Sequence, residues 1–191
     1  PFVYYPMWLA NKLGIIDTSK VYQGSRKRAK VRSSKVKVCI HEWGGYPLER
    51  NKSFSKTSSN SCGLKYQLER FSKYRIEGLV DLTVTMSEAN KHRQIDYVRS
   101  NCDCFIKVSN IGMDFCGYST FFHSIKDGEN CYVILSNTSV EKSQTDFLAG
   151  YVKYMEENLD VGMLGISYST RMYHTLIRRN FVPHLQSFFV M

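Results

Sequence analysis

The chain has 191 residues, of which 43% are hydrophobic and 14% aromatic, and it carries a formal net charge of +9. That is enough apolar chain to bury the core of one domain, which excludes a disordered or low-complexity protein. No window reaches the roughly 18 uninterrupted apolar residues of a membrane-spanning helix and no charged-then-apolar signal segment leads the chain, so an intracellular protein is expected.

The charge is concentrated near the N-terminus. Lys20, Arg26, Lys27, Arg28, Lys30, Arg32, Lys35 and Lys37 fall in one stretch with no acidic residue, and the other 18 basic residues nearly balance 17 acidic ones. Such a block attracts polyanions: phosphate head groups of the inner leaflet, nucleic acid or an acidic polymer. It reads equally as a solvated linker. Ahead of it, Phe2-Val3-Tyr4-Tyr5-Pro6-Met7-Trp8-Leu9 is aromatic and amphipathic, and suits either a packing arm or an interfacial anchor. Residues 1–34 are therefore set apart as an N-terminal arm, and the folded domain is expected over 35–191.

Lys35–His41 alternates and then turns apolar, which predicts a strand entering the turn Glu42-Trp43-Gly44-Gly45-Tyr46-Pro47. Residues 51–63 are polar and aperiodic and read as a surface loop. Leu64, Leu68 and Phe71 fall at helical spacing between Gly63 and Gly78. Leu79–Met86 reads as a second strand, with Ser87 as the N-cap of a helix through Val98. Phe105–Val108 is the third strand, and a helix is expected from Gly117 to Ile125. Tyr132–Leu135 is the fourth strand, and a helix spans Lys142–Asn158 with Phe147, Leu148, Tyr151, Val152 and Met155 on its apolar face. A fifth strand is expected at Gly162–Ile166, then closing helices at 170–179 and 184–190.

This alternation of short apolar strands with helices predicts an α/β fold: a single, mainly parallel Rossmann-like sheet with helices on both faces. Ligands of such sheets bind where strands end at their carboxyl edge. Three strand-end segments fall there, Asn110-Ile111-Gly112-Met113-Asp114, Asn137-Thr138-Ser139 and the end of Val161-Gly162-Met163-Leu164-Gly165-Ile166-Ser167, and His41-Glu42 closes the first strand at the same edge. Glycine allows close backbone approach, Asn and Asp give directional hydrogen bonds, and a helix N-terminus favours an anion. Each segment alone also suits a structural turn. Pro183-His184-Leu185-Gln186 starts the last expected helix, and His184 has the proton affinity of a general base or, equally, of a surface cap. The six cysteines show no C-x-x-C pair and no Cys/His metal spacing, so they are expected to be reduced thiols.

Taken in order, Asn-x-Gly-x-Asp, helix, Tyr-Val-Ile-Leu-Ser-Asn-x-Ser, long helix, Asp-Val-Gly-Met-Leu-Gly and His-Leu-Gln-Ser-Phe-Phe, the sequence resembles GT-A nucleotide-sugar glycosyltransferases. The likeness is greatest to the rhamnan-synthesis type of bacterial polysaccharide clusters, and it covers residues 105–189. The resemblance implies transfer of a sugar from a nucleotide-sugar donor to a saccharide or lipid-linked acceptor in capsule, O-antigen or rhamnan-type biosynthesis. It implies that Asn110, Gly112 and Asp114 lie along the nucleotide, flanked by His41 and Glu42. Asn137, Thr138 and Ser139 stand in place of the Asp-x-Asp motif that holds a divalent metal and the diphosphate, and His184 and Gln186 in place of the catalytic acidic pair. Three departures accompany these matches: Thr138 replaces an Asp, Met113 replaces a basic residue, and the His184 segment has no carboxylate. His184, or Asp114 from the opposite loop, would then be the base, and a cation such as Arg171 would take over from Mn or Mg.

Two other readings follow from the same residues. The missing carboxylates suit a non-catalytic nucleotide-sugar-binding or assembly module. Residues 20–37 suit a polyanion or nucleic-acid binder, although no aromatic beyond Tyr22 interleaves the basic residues and no nucleic-acid motif is present, so nucleic acid is not an expected partner. The first reading places the protein in the cytoplasm, peripheral to the inner membrane face through residues 20–37. The start at Pro1 and the end at Met191 leave open whether the domain is part of a longer enzyme.

Overall fold

The computed structural model describes residues 30–31, 35–55, 58–126, 129–142, 147–165, 168–169, 184–185 and 189–191. Residues 1–29 and 32–34 of the N-terminal arm, the expected helix at 170–179, Arg171 and Gln186 lie outside them.

Four parallel strands form the sheet: β1 (Val36–Trp43), β4 (Val80–Ser87), β5 (Cys104–Val108) and β6 (Tyr132–Asn137), in the spatial order β5-β4-β1-β6. The chain leaves β1, builds outward to β5, then returns across to β6, so the strand order reverses between β1 and β6. β1 and β4 are buried along almost their whole length. They are central and covered on both faces: β1 runs apolar through Val38-Cys39-Ile40, whereas β4 alternates and buries the polar Thr83, Thr85 and Ser87 on the face opposite the main core.

Period-two geometry divides β1 between the two faces. Val36, Val38 and Ile40 join the main core with Val80, Leu82, Val84, Met86 and Ile134, packed against α1 (Leu64–Ile76), α2 (Ile95–Ser100) and α4 (Leu148–Glu157). Leu64, Leu68 and Phe71 are the buried stripe of α1, as their spacing predicts. The apolar face expected of α4 also packs here, through Leu148 and Met155 with Phe147, Tyr151 and Val152. On the opposite face Cys39 meets Tyr118 and Phe121 of α3 (Asp114–Ser124). The cysteines are all free thiols.

Several expectations need correction. Residues 51–63 are no loop: β2 (Arg50–Ser55) and β3 (Ser58–Cys62) form an antiparallel hairpin. Lys52, Ser53 and Ser59 are exposed, so the hairpin is held by backbone pairing and leaves no hydrophobic pattern. Ser87 is not an N-cap but the last residue of β4, paired with Trp43 and Val108. The chain then turns at Glu88, in the left-handed region, into a short 3₁₀ turn (Ala89–Lys91) before α2. The helix expected from Lys142 starts at Leu148, and the helix expected from Gly117 starts at Asp114.

The C-terminal expectations fail most clearly. Residues 161–164 form no strand, and the edge of β6 is taken by β9 (Phe189–Val190), running antiparallel. Leu164 and Met191 exchange two backbone hydrogen bonds beside it, at 2.8 and 2.7 Å. His184 does not start a helix: β8 (His184–Leu185) pairs with β7 (Tyr168–Ser169) in a small separate ribbon. Phe-Phe-Val suits an extended edge strand better than a helix, and the unpaired edge of β6 supplies its partner. Among the described residues no helix is long and apolar enough to cross a membrane.

Candidate functional site

A cavity of about 470 Å³ opens at the carboxyl edge of the sheet and is lined by residues from four consecutive strand ends. His41, Glu42 and Trp43 come from β1, Ser87 from β4, Asn110, Met113 and Asp114 from the chain after β5, and Asn137, Thr138 and Ser139 from the end of β6; Tyr46 and Arg50 close it from the β1–β2 side. This is the crevice where the strand order reverses, the usual ligand position in an open α/β sheet. The alternation along β1 sends His41 toward α3 and Glu42 toward the hairpin, so the cavity has two polar walls of different chemistry.

The first wall is built on His41, which is 3% exposed. Its Nδ1 lies 3.0 Å from Thr85 Oγ1, its Nε2 lies 4.0 Å from Asp114 Oδ1, and Tyr118 meets the ring edge-on. Burial lowers its proton affinity, and the Asp114 charge only partly restores it, so the imidazole is neutral at neutral pH. The tautomer with hydrogen on Nε2 suits both neighbours: Nε2–H faces the carboxylate, and Nδ1 accepts from the Thr85 hydroxyl. Asp114 is held from the other side by Asn137, whose Nδ2 donates to Oδ2 at 2.7 Å, while Asn137 Oδ1 accepts the Ser139 N–H at 3.0 Å. Gly117 makes this packing possible, because a Cβ there would overlap His41 Nδ1 and lie 2.5 Å from Thr85 Oγ1.

The second wall is an ionic cluster around Glu42, which is 2% exposed. Arg50 donates from Nη1 to Glu42 Oε2 at 2.9 Å and from Nη2 to Thr138 Oγ1 at 2.7 Å. The Trp43 N–H donates to Glu42 Oε1 at 2.8 Å. Burial pushes the carboxyl up, against the pull of Arg50 and these hydrogen bonds. The guanidinium also lies 4.2 Å from the Tyr46 ring centre, and Trp43 Nε1 donates to Glu88 at 2.6 Å. The loop carrying Thr138 and Ser139 is fixed from behind: Gln67 Nε2 donates to the Val140 carbonyl at 3.1 Å and Arg70 to that of Glu141 at 2.6 Å.

The third segment, after β5, turns through two positive φ angles, Gly112 at 85° and Met113 at 55°. Gly112 accommodates this freely, whereas Met113 is strained. The turn delivers Asp114 to the start of α3 and leaves Ile111, Met113 and Phe115 exposed.

Of the residues singled out in the sequence, His41, Glu42, Asn110, Asp114, Asn137 and Ser139 meet in this one cavity, and Gly112 shapes the turn between two of them. His184 belongs by its backbone to the β7–β8 ribbon and is not among the described lining residues. Trp43, Tyr46, Ser87 and Arg50 line the cavity without having been foreseen. Arg50 stands in the stretch expected to border a loop, and only the register Arg50↔Cys62 turns it inward.

The donors fit a divalent cation poorly. Glu42 and Asp114 are the carboxylates among the described lining residues, and Glu42 is already engaged by Arg50 and the Trp43 N–H. Among the described residues no group of three His, Cys, Asp or Glu side chains has the spacing to hold a metal. No family model, no curated protein and no solved structure matches this chain.

Proposed function

We propose that the chain is a GT-A-like glycosyltransferase acting on a nucleotide-sugar donor, with a saccharide or lipid-linked acceptor in polysaccharide synthesis. One observation supports this above the rest: three separated polar segments, each an ordinary turn in isolation, meet at a single crevice where the strand order reverses. The cavity volume suits a nucleotide-sized ligand.

In this reading Asp114 takes the proton of the acceptor hydroxyl as its oxygen attacks the anomeric carbon, and the nucleoside diphosphate leaves. Asn137 fixes one oxygen of the Asp114 carboxylate, and His41 Nε2 lies 4.0 Å from the other. Arg50, rather than Arg171, is the cation facing the departing diphosphate, since a guanidinium has five N–H donors and Glu42 and Thr138 occupy only two of its nitrogens. The poor fit to a divalent ion leaves this charge to Arg50 in the proposal.

A nucleoside diphosphate at about 100 times its Kd should stabilise the fold by about 2.7 kcal/mol, a rise of about 5–10 °C in Tm for a chain of this size. No shift with UDP, dTDP or GDP, with and without Mn²⁺ or Mg²⁺, overturns the proposal. The engagement of Glu42 leaves Asp114 as the freer carboxylate, which favours the binding-module reading as runner-up. Donor binding without nucleoside diphosphate release on adding acceptor separates the two.

A further inference from the structure

The rim of the cavity continues into an exposed apolar ridge. Ile111 is 84% exposed, Met113 73%, and Phe115 and Phe122 each 67%. Phe115 and Phe122 stand seven residues apart on α3, hence on one stripe, while Tyr118 and Phe121 face the core. Four large apolar side chains held in water within twelve residues form a concentrated patch, and such patches mark interaction surfaces. The positive φ at Gly112 and the strained backbone at Met113 keep the turn in the shape that presents them. Met113 belongs to both features, because it lines the cavity as well as the ridge.

Charge selects the occupant. The net charge of +9, most of it in residues 20–37, favours an anionic surface as the occupant. Beyond the end of β4 Arg93 is exposed, as is Lys107 on β5, while Lys91 is paired with Glu88. Of the acidic residues there, Glu88 is engaged at the surface by Trp43 and Lys91, and Asp114 by Asn137. An apolar ridge flanked by cations is how a protein lies on a bilayer: side chains enter the acyl boundary while Lys and Arg stay with anionic head groups.

We propose that Ile111, Met113, Phe115 and Phe122 form a membrane-contact ridge that seats the mouth of the cavity on an anionic lipid surface. Anything attached to a lipid head group then reaches the cavity past Met113. The proposal does not rest on the transferase reading, since vesicle binding and nucleotide binding are measured separately.

The test is flotation of the full chain with vesicles of phosphatidylcholine alone, or with about one third phosphatidylglycerol. Two double variants are compared, Ile111→Asn with Met113→Asn, and Phe115→Ser with Phe122→Ser; both leave residues 20–37 intact, and circular dichroism melting confirms the fold. The wild type should float with the anionic vesicles, each pair should weaken partition about tenfold or more, and the combined variant should stay unbound. Wild-type protein that ignores anionic vesicles overturns the proposal. So do variants that float as well as wild type, which would assign binding to the basic block alone. Concentration-dependent dimerisation in sedimentation velocity, abolished by the same substitutions with no vesicle binding, would reassign the ridge to a second copy.

Discussion

Replacing Gly117 by alanine tests whether α3 is seated as closely on β1 and β4 as the site requires. Helix propensity alone favours the change by about 1 kcal/mol, since Gly117 lies within α3. The structure opposes it. The new methyl would overlap His41 Nδ1, lie 2.5 Å from Thr85 Oγ1 and lie 2.9 Å from His41 Cγ. Neither group is the free end of a flexible chain, because His41 is 3% exposed and its ring is tied to Thr85 and edged by Tyr118. Overpacking of this kind costs about 1–3 kcal/mol, and parting His41 from Thr85 leaves buried polar atoms unpaired at a further cost of about 1–3 kcal/mol. After the propensity gain, a net loss of about 3 kcal/mol is expected, or about 9 °C in Tm. Urea unfolding at constant m-value measures it. Because α3 starts with Asp114, the displaced helix should also weaken any nucleotide-induced thermal shift. A Gly117→Ala protein as stable as wild type, or more so, refutes the close packing and with it the placement of Asp114 beside His41.

Further expectations concern the ionic cluster, pH and the core. Arg50→Leu leaves the Glu42 charge buried without its cation and should cost about 3 kcal/mol at pH 7. The deficit should shrink at pH 5, where a proton replaces the guanidinium; a loss equal at both pH values counts against the cluster. Burial lowers the proton affinity of both His41 and His92, so the unfolded chain binds more protons below the ordinary imidazole value of 6.5. Stability should therefore fall as pH drops below about 6.5, and His41→Gln should flatten part of that slope in urea titrations. A slope unchanged by the substitution removes His41 from the account. Phe71→Ala, at a position with 0% exposure beneath the sheet, should cost about 3–5 kcal/mol by denaturant unfolding, and a loss below about 1 kcal/mol would place α1 elsewhere.

The central sheet was legible because burial on both faces writes itself into the chain. Val36-Lys37-Val38-Cys39-Ile40 and Val80-Asp81-Leu82-Thr83-Val84 place branched apolar residues at every second position between turns, and α1 and α4 show their buried stripes. Most of the site was legible for a related reason: a polar residue immediately after a buried strand lies at the carboxyl edge. The remainder depends on pairing between distant backbones. The β2–β3 hairpin buries little, so no apolar signal announces it, and Arg50 enters the site only through its register. Ser87 reads as an N-cap because Ser-Glu-Ala begins many helices, yet pairing with Trp43 and Val108 keeps it in the sheet. Phe189–Val190 becomes a strand because β6 has an edge to fill, a fact that no local window contains.

The placement of β6 in the sheet also sets an order of events during synthesis. β1, β4 and β5 emerge in sequence and can pair as soon as they leave the ribosome, but the other edge of β1 has to wait for Tyr132–Asn137. Until then Val38, Cys39 and Ile40, wholly buried in the finished protein, belong to a strand with one side unpaired, a ready template for association with another nascent chain. β6 inherits the same vulnerability until Phe189 and Val190 reach it. Each of these edges is therefore closed only by a segment made well after it, and the yield of the protein in the cell should respond to chaperone supply more than its final stability would suggest.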